Sequence, residues 1–339
     1  MDFVFLTDPI YTALASARPA VAWGVELVKM GYRVVVAAPA IGEKAYRYLT
    51  GLGLQAKARI VDSDYSVVQQ LLSLIEGGRE VEVDGGVLVN FSNTVRMPST
   101  AYYFQGFLAD MARDVGGLAR LLTPLFKLVD ESWLKAMKAS RVVIANSGLS
   151  ARQLEERGLK PSAVIYPPLQ SSLVKSLLEV GEEGSYYLVY SGKETDWRVV
   201  KWFMRNLPGD WRAFGKFNPP KGLGIEKIPI VPEEDLPKAV YAGARLVLFT
   251  YRHEPFGYVT VEAALAGKPS IAVGPSGQGP WEQWRMGYPV LWLPEPALKL
   301  ALKLPRPPTW EERLRVASMH DASSTVKLLL AHIPTPHPA

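Results

Sequence analysis

Residues 253–269 read "HEPFGYVTVEAALAGKP", with the apolar run "ARLVLFTY" before them and "PSIAVG" after them. Both runs are short, rich in β-branched residues and bounded by turn formers, so they read as buried strands. Between them stand a Pro-Phe-Gly corner and a small-residue helix that stops at Gly267. This is a strand, loop, helix, strand unit. In open parallel sheets ligands lie beyond the carboxyl ends of the strands, and Glu254 stands at such an end. Gly257 lets the chain turn tightly and approach a ligand, while N–H groups at the start of the helix, from Phe256 through Tyr258, Val259 and Thr260, offer a seat for a phosphate. Glu254 and Glu262 would repel that phosphate unless aimed elsewhere. Sugar hydroxyls, which donate strong hydrogen bonds to a carboxylate, are the natural partners, and the pair points to a nucleotide sugar. The plain alternative is a solvated loop acid followed by an acid near an ordinary helix start.

The rest of the chain accommodates this unit twice over. Its 339 residues suffice for two domains with their own cores. An apolar fraction of 48% with 21% charged residues excludes disordered and coiled-coil classes. No apolar run approaches the roughly 18 residues of a membrane span, and "MDFVFLTDP" lacks the basic start and apolar core of a signal peptide. The expected location is therefore cytoplasmic. The absence of cysteine excludes disulfides and thiolate metal sites, and with 27 prolines it agrees with a thermophilic origin. A net charge of +5 is scattered among acids rather than gathered in a stripe, so anionic substrates or a membrane surface explain it as well as nucleic acid does.

The first half opens with strand "DFVFL", an apolar-periodic helix around "AVAWGVELVKM" and strand "YRVVVAA", a βαβ start typical of a doubly wound sheet. "GVLVNFS", "AYYFQGF", "RVVIANS" and "AVIYP" follow as further strands. Ser150 and Gln153 have capping-box spacing before the helix "ARQLEER", which ends at Gly158. Pro167 and Pro168 break the pattern, and a second α/β cycle begins at "YYLVYSGK". It continues through "WRAFG", "IEKIPIV", "RLVLFTY", "PSIAVG" and "PVLWL". Two such halves joined by a hinge would enclose a cleft, where small-molecule sites are common.

The stretch "EPFGYVTVEAALAGKP" resembles the E-x7-E signature of family 4 retaining glycosyltransferases: Glu, a small residue, Phe-Gly, four variable residues, Glu-Ala, small residues, Gly and Pro. "RVVIANSGLSARQLEERG" with "AVIYPPL", and "EEDLPKAVYAGARLVLFT", are similar to the stretches of that family before the hinge and before the acidic motif. The resemblance implies an α/β, GT-B fold of two Rossmann-like doubly wound domains facing each other across a cleft. Residues 1–167 would form an acceptor-side domain, 168–310 the nucleotide-sugar-binding domain, and 311–333 helices packing back across the hinge. It further implies hexosyl transfer from a nucleoside-diphosphate sugar to an acceptor hydroxyl with retention of configuration. No cofactor beyond that co-substrate and no metal is expected.

Residue by residue, the resemblance places the diphosphate over the backbone of Phe256, Gly257, Tyr258 and Val259, Glu262 on the ribose and Glu254 on the transferred sugar. The family's Gly-Arg at the first strand end of the second domain is Gly192-Lys193 here. Its later Lys is missing, so Arg198 or Lys201 would have to serve. Lys193 remains a point charge able to stabilise a departing diphosphate. The family's first-domain His corresponds to Gln105, which can bond a sugar hydroxyl but exchanges no proton near neutral pH. A Gly-Gly loop is absent from "TDPIYTALASARP". "DSD", with Asp62 and Asp64, gives little support for a metal.

Three alternatives stay open from the sequence. One is a nucleotide-sugar-binding protein without transfer activity, another a GT-B-type nucleotide-sugar epimerase, and a third a nucleic-acid-binding module resting on charge alone. The acceptor, whether saccharide, lipid-linked saccharide or small molecule, is unspecified. In residues 106–138, Leu, Met and Phe alternate with Arg113, Arg120, Lys127, Lys135 and Lys138. Such a basic amphipathic stretch is either core packing or a peripheral contact with the inner face of a membrane.

Overall fold

The structure is a computed structural model that describes residues 2–10, 15–61, 85–181, 183–302 and 304–334. Asp62, Asp64 and residues 11–14 of the segment after the first strand lie outside the described residues. The chain divides into two units: Met1–Arg113, Leu118–Ser171 and His320–Ala339 form the first, and Asp114–Gly117 and Ser172–Met319 the second.

The first unit is built on seven parallel strands: β1 (Phe3–Leu6), β2 (Val34–Gly42), β3 (Gln55–Val61), β4 (Val87–Asn90), β5 (Ala101–Phe104), β6 (Val142–Ala145) and β7 (Ala163–Val164). Their order is β3-β2-β1-β4-β5-β6-β7. Its helices are α1 (Arg18–Lys29), α2 (Glu43–Gly51), α3 (Leu108–Val115), α4 (Leu118–Leu121), α5 (Thr123–Lys138) and α6 (Gly148–Glu155). The inner strands are continuous apolar runs because a parallel sheet is covered on both faces. Phe3, Phe5, Trp23, Phe91 and Tyr103 pack ring against ring, with centroids 5.0–6.1 Å apart. Each such buried side chain contributes roughly 1.5–3 kcal/mol.

Three features differ from the sequence expectations. β3 pairs at the sheet edge through "QAKARIV", where exposed Gln55, Lys57 and Arg59 conceal the strand in the sequence. The amphipathic stretch is broken into α3, α4 and α5: Gly116 and Gly117, both left-handed with φ of 76° and 59°, part α3 from α4, and a turn at Leu122 parts α4 from α5. The cap of α6 is Ser147, whose Oγ accepts from the Ser150 N–H at 3.2 Å, while the Ser150 hydroxyl donates to Asn146.

The second unit carries six parallel strands: β8 (Tyr186–Tyr190), β9 (Trp211–Phe214), β10 (Glu226–Lys227), β11 (Ala244–Thr250), β12 (Ser270–Val273) and β13 (Val290–Leu293). Their order is β10-β9-β8-β11-β12-β13. The helices are α7 (Ser171–Leu178), α8 (Trp197–Asn206), α9 (Tyr258–Leu265), α10 (Gly279–Arg285) and α11 (Trp310–His320). Tyr187 stacks on Trp211 with centroids 4.7 Å apart, over a core of Val189, Phe203, Leu246 and Leu248. The order of strands reverses between β8 and β11, which makes the carboxyl ends of these two strands the switch point of the sheet.

Helix α9 is fixed at both ends. Gly257 starts it in the left-handed region at φ 91°, and Gly267 ends it at φ 69°. Buried Arg313 donates to Leu265 O at 2.9 Å and to Leu178 O at 2.6 Å. One guanidinium thereby satisfies the carbonyl ends of α9 and α7 and complements their dipoles. The chain then returns to the first unit with α12 (Ala322–His332), where the Trp23 indole donates to Thr325 Oγ1 at 2.9 Å.

Candidate functional site

In the second unit, the loop after β8 begins with Ser191, Gly192, Lys193 and Glu194. Thr195 closes it: its hydroxyl accepts from Gly192 N–H at 2.8 Å and donates to Tyr190 O at 3.0 Å. The loop is joined to the one after β11, since Asp196 N–H donates to Thr250 Oγ1 at 3.0 Å and Arg252 N–H to Glu194 O at 3.2 Å. A larger residue at 192 would make Glu194 and Tyr190 shift. A Cβ there would lie 2.4 Å from the Glu194 carboxylate and 2.5 Å from the Tyr190 ring.

Around the Tyr190 hydroxyl the structure gathers three acids. Burial, then Glu194, Glu254 and Glu262, push its phenol well above the ordinary range. Glu194 is buried, which raises its carboxyl, and Tyr190 hydrogen-bonds to it. Glu254 is half-buried and pushed up to about 7, first by burial and then by the charge of Glu194. Lys193 pulls in the opposite direction. Lys193 is an exposed residue, yet surrounding protein lowers its pKa, against Glu194 and Glu254.

Glu254 also takes up part of the expected anion seat: its Oε1 accepts from Phe256 N–H at 3.1 Å and Gly257 N–H at 3.0 Å. Tyr258 and Val259 follow as the first residues of α9. The loop is clamped from behind by two glutamines. Gln278 Oε1 accepts from Glu254 N–H at 2.6 Å, and Gln283 Nε2 donates to Phe256 O at 2.7 Å. Glu262 is 3% exposed, and its Oε2 accepts from the Tyr241 hydroxyl at 2.6 Å.

Arg198 lies apart from this cluster. It opens α8, where its guanidinium is committed to the N-cap Asp196 at 2.8 Å and to Glu295 at 3.6 Å. Its neighbour Arg252 also reaches Asp196, at 3.4 Å. Gln105 belongs to the first unit, beyond β5. Its amide nitrogen donates to Ser16 O at 3.1 Å and Phe91 O at 3.0 Å, which leaves Oε1 as the end able to accept from a hydroxyl.

Sequence reading missed Tyr190, Glu194, Gln278 and Gln283. Glu194 adjoins the Lys already singled out, and "GQGPWEQW" places a glutamine on either side of a Gly-Pro helix start; neither pattern identifies a site without the fold. It also missed His253, whose Nδ1 lies 2.9 Å from Asp114 Oδ2 while its buried Nε2 has no hydrogen-bond partner among the described residues. Among the described residues no group of three or more His, Asp or Glu is arranged to hold a metal ion, and no helix is long and apolar enough to cross a membrane.

No protein-family model matches the chain, and no curated protein does. Solved structures do. HepE of Anabaena, in complex with UDP and glucose, is similar over 98% of each chain with a TM-score of 0.65 and 14% identity. Sucrose-phosphate synthase from Thermosynechococcus elongatus gives 0.64 and 13% over 97% of each. WaaG, a glycosyltransferase involved in lipopolysaccharide biosynthesis, gives 0.57 and 14% over 96% of this chain and 98% of its own. The likeness extends over nearly the whole chain and both sheets, and it establishes the fold: two Rossmann-like parallel α/β units in the GT-B arrangement of chain segments.

Proposed function

We propose that the protein is a retaining glycosyltransferase of the family 4 type, transferring a hexose from a nucleoside-diphosphate sugar to an acceptor hydroxyl. The observation that supports this reading is that Lys193, Glu254 and Glu262 all lie close to the carboxyl ends of β8 and β11, where the sheet order reverses. A cation and the start of α9 suit a diphosphate, and two carboxylates suit sugar hydroxyls.

In this reading the diphosphate lies against Lys193 and the first turn of α9 at Tyr258 and Val259. Glu254 shares Phe256 N–H and Gly257 N–H with it and meets the transferred sugar. Glu262, oriented by Tyr241, takes the ribose hydroxyls. Gln105 accepts from a hydroxyl through Oε1. Lys193 stabilises the leaving diphosphate without a metal, and the leaving phosphate oxygen takes the acceptor proton on the same face, so the bond to the anomeric carbon is broken and remade with retention. No further cofactor takes part.

Incubation with a panel of nucleoside-diphosphate hexoses and simple glycosides, with chelator present, is expected to give transfer with the anomeric configuration preserved by NMR. Glu262→Ala is expected to weaken nucleoside-diphosphate binding at least tenfold and to lower stability by about 1–3 kcal/mol, because the buried Tyr241 hydroxyl loses its bond to that carboxylate. Inversion at the anomeric carbon, or dependence on added metal, would overturn the mechanism. Epimerised donor without transfer would replace it with the epimerase reading.

Peripheral contact with an anionic lipid surface accompanies this reading. Leu121, Leu125 and Leu128 are 74%, 40% and 65% exposed, spaced along one face of α4 and α5, with exposed Arg120, Lys127, Lys135 and Lys138 nearby. Apolar side chains among cations suit insertion beside acidic headgroups. The native chain should cosediment with vesicles containing phosphatidylglycerol and not with neutral ones, and Leu121→Asp with Leu128→Asp should abolish this. Equal partition onto neutral vesicles would refute a charge-assisted contact.

A further inference from the structure

His253 stands between two residues whose backbones are fixed. Arg252 N–H donates to Glu194 O at 3.2 Å, and Glu254 N–H donates to Gln278 Oε1 at 2.6 Å. Arg252 and His253 also hold the stretch Asp114–Gly117, which belongs to the second unit. The Arg252 guanidinium donates to Val115 O at 3.1 Å, and His253 Nδ1 lies 2.9 Å from Asp114 Oδ2. A carboxylate only accepts, so the proton of this pair is on Nδ1 and the lone pair of the neutral imidazole is on Nε2. The carboxylate thereby sets both the orientation and the tautomer of the ring.

That lone pair is unspent. The His253 side chain is 3% exposed, and Nε2 has no hydrogen-bond partner among the described residues. A buried acceptor left unpaired costs free energy, and packing alone would be served as well by an apolar ring. The imidazole also belongs to the cluster around Glu254. Burial raises the Glu194 carboxyl, and the His253 ring is among the groups that oppose this shift. Glu194 in turn is the charge that acts most strongly on Glu254. An imidazole oriented by a carboxylate, with its far nitrogen free, has the form of a group that meets a ligand. The partner of a lone pair is a hydrogen-bond donor, which a sugar hydroxyl supplies and an ionised phosphate oxygen does not.

We propose that His253, held by Asp114, is a specificity-determining residue whose Nε2 accepts a hydrogen bond from one hydroxyl of the transferred sugar, beside Glu254. This rests on the donor reading above and adds to it a pair of residues outside both the acidic motif and the diphosphate contacts. A sugar lacking that hydroxyl is rejected because the buried nitrogen then stays unpaired in the complex.

The test is equilibrium binding to the native chain, His253→Phe and Asp114→Asn. The probes are UDP-glucose, ADP-glucose and GDP-mannose, the free diphosphates UDP, ADP and GDP, and the monodeoxy forms of whichever donor binds. His253→Phe keeps a ring in place and is expected to weaken binding of the sugar nucleotide about tenfold, while its free diphosphate changes by less than about twofold. One monodeoxy sugar should lose the same factor on the native chain and nothing further on His253→Phe, the signature of a direct pair. Asp114→Asn is nearly isosteric, and its amide can donate to Nδ1 and so move the ring proton to Nε2. It should show the same selective loss. Nitrogen NMR of labelled histidine should show one ring, absent from His253→Phe, whose Nε2 resonance moves on addition of the sugar nucleotide and not of the diphosphate. Unchanged sugar-nucleotide affinity in His253→Phe, or a further loss with every monodeoxy sugar, overturns the contact and leaves the donor reading intact. Equal losses for sugar nucleotide and diphosphate also overturn it, placing the ring on the phosphates or in the fold. Failure of the native chain to bind any sugar nucleotide or diphosphate overturns the donor reading and the contact together.

Discussion

Glu254→Gln is expected to lower turnover at least a hundredfold while nucleoside-diphosphate affinity changes by no more than a few-fold, the pattern of a group whose interaction strengthens in the transition state. The exchange is nearly isosteric, and an amide oxygen can still accept from Phe256 N–H and Gly257 N–H, the bonds that hold the loop. In the donor reading proposed above, what disappears is the negative charge facing the anomeric centre as that carbon becomes positive. The native rate should also carry a pH limb that the variant lacks. Burial and Glu194 push the Glu254 carboxyl up to about 7, so its charged form is the minority at pH 6 and the majority at pH 8. Turnover of the native chain therefore rises across that window, whereas the glutamine variant is flat. Measurement of kcat from pH 5.5 to 8.5 for both proteins decides the matter. A variant that keeps full turnover, or one that keeps the same pH limb, removes Glu254 from the chemistry.

The strand ends bearing this site were legible before the structure because parallel strands covered on both faces must be apolar throughout. "RLVLFTY" and "YYLVYSGK" have no other reasonable reading, and Gly257 marks the turn into α9. Edge strand β3 was not legible, since its Lys57 and Arg59 face solvent and break the apolar run. The position of Arg198 was not legible for a different reason. Spacing along the chain favours Arg198, but a side chain two residues from an Asp N-cap folds back on it, at 2.8 Å here. Gln105 shows the same limit. Its residue type was readable as a hydroxyl partner, but the capture of its amide nitrogen by the carbonyls of Ser16 and Phe91 depends on tertiary structure.

The backbone that carries Glu254 makes a second large effect expected, from a residue without a side chain. Gly279 opens α10, and its N–H donates to Glu254 O at 2.9 Å. A Cβ on Gly279 would stand 2.1 Å from Phe256 O and 2.4 Å from the Phe256 carbonyl carbon and Cα. These are backbone atoms, so no rotamer change relieves the overlap; the 254–257 loop and α10 must separate. Separation also strains the bonds from Gln283 to Phe256 O and from Glu254 N–H to Gln278. Gly279→Ala is therefore expected to cost about 3 kcal/mol, at the upper end for an overpacked site, and to lower Tm by roughly 6–12 °C for a unit of this size. Turnover should fall at least tenfold at temperatures where the variant is still folded, because a carboxylate displaced by even about 1 Å loses its alignment with the sugar. Gly51→Ala is the matched control. It closes α2 with nothing within 4 Å of the new Cβ and no positive φ, so its Tm should be unchanged or slightly raised. Thermal melts and initial rates on the three proteins separate the two glycines. If Gly279→Ala melts and turns over like the native chain, the close approach of α10 to the Glu254 loop is not what holds the site in place.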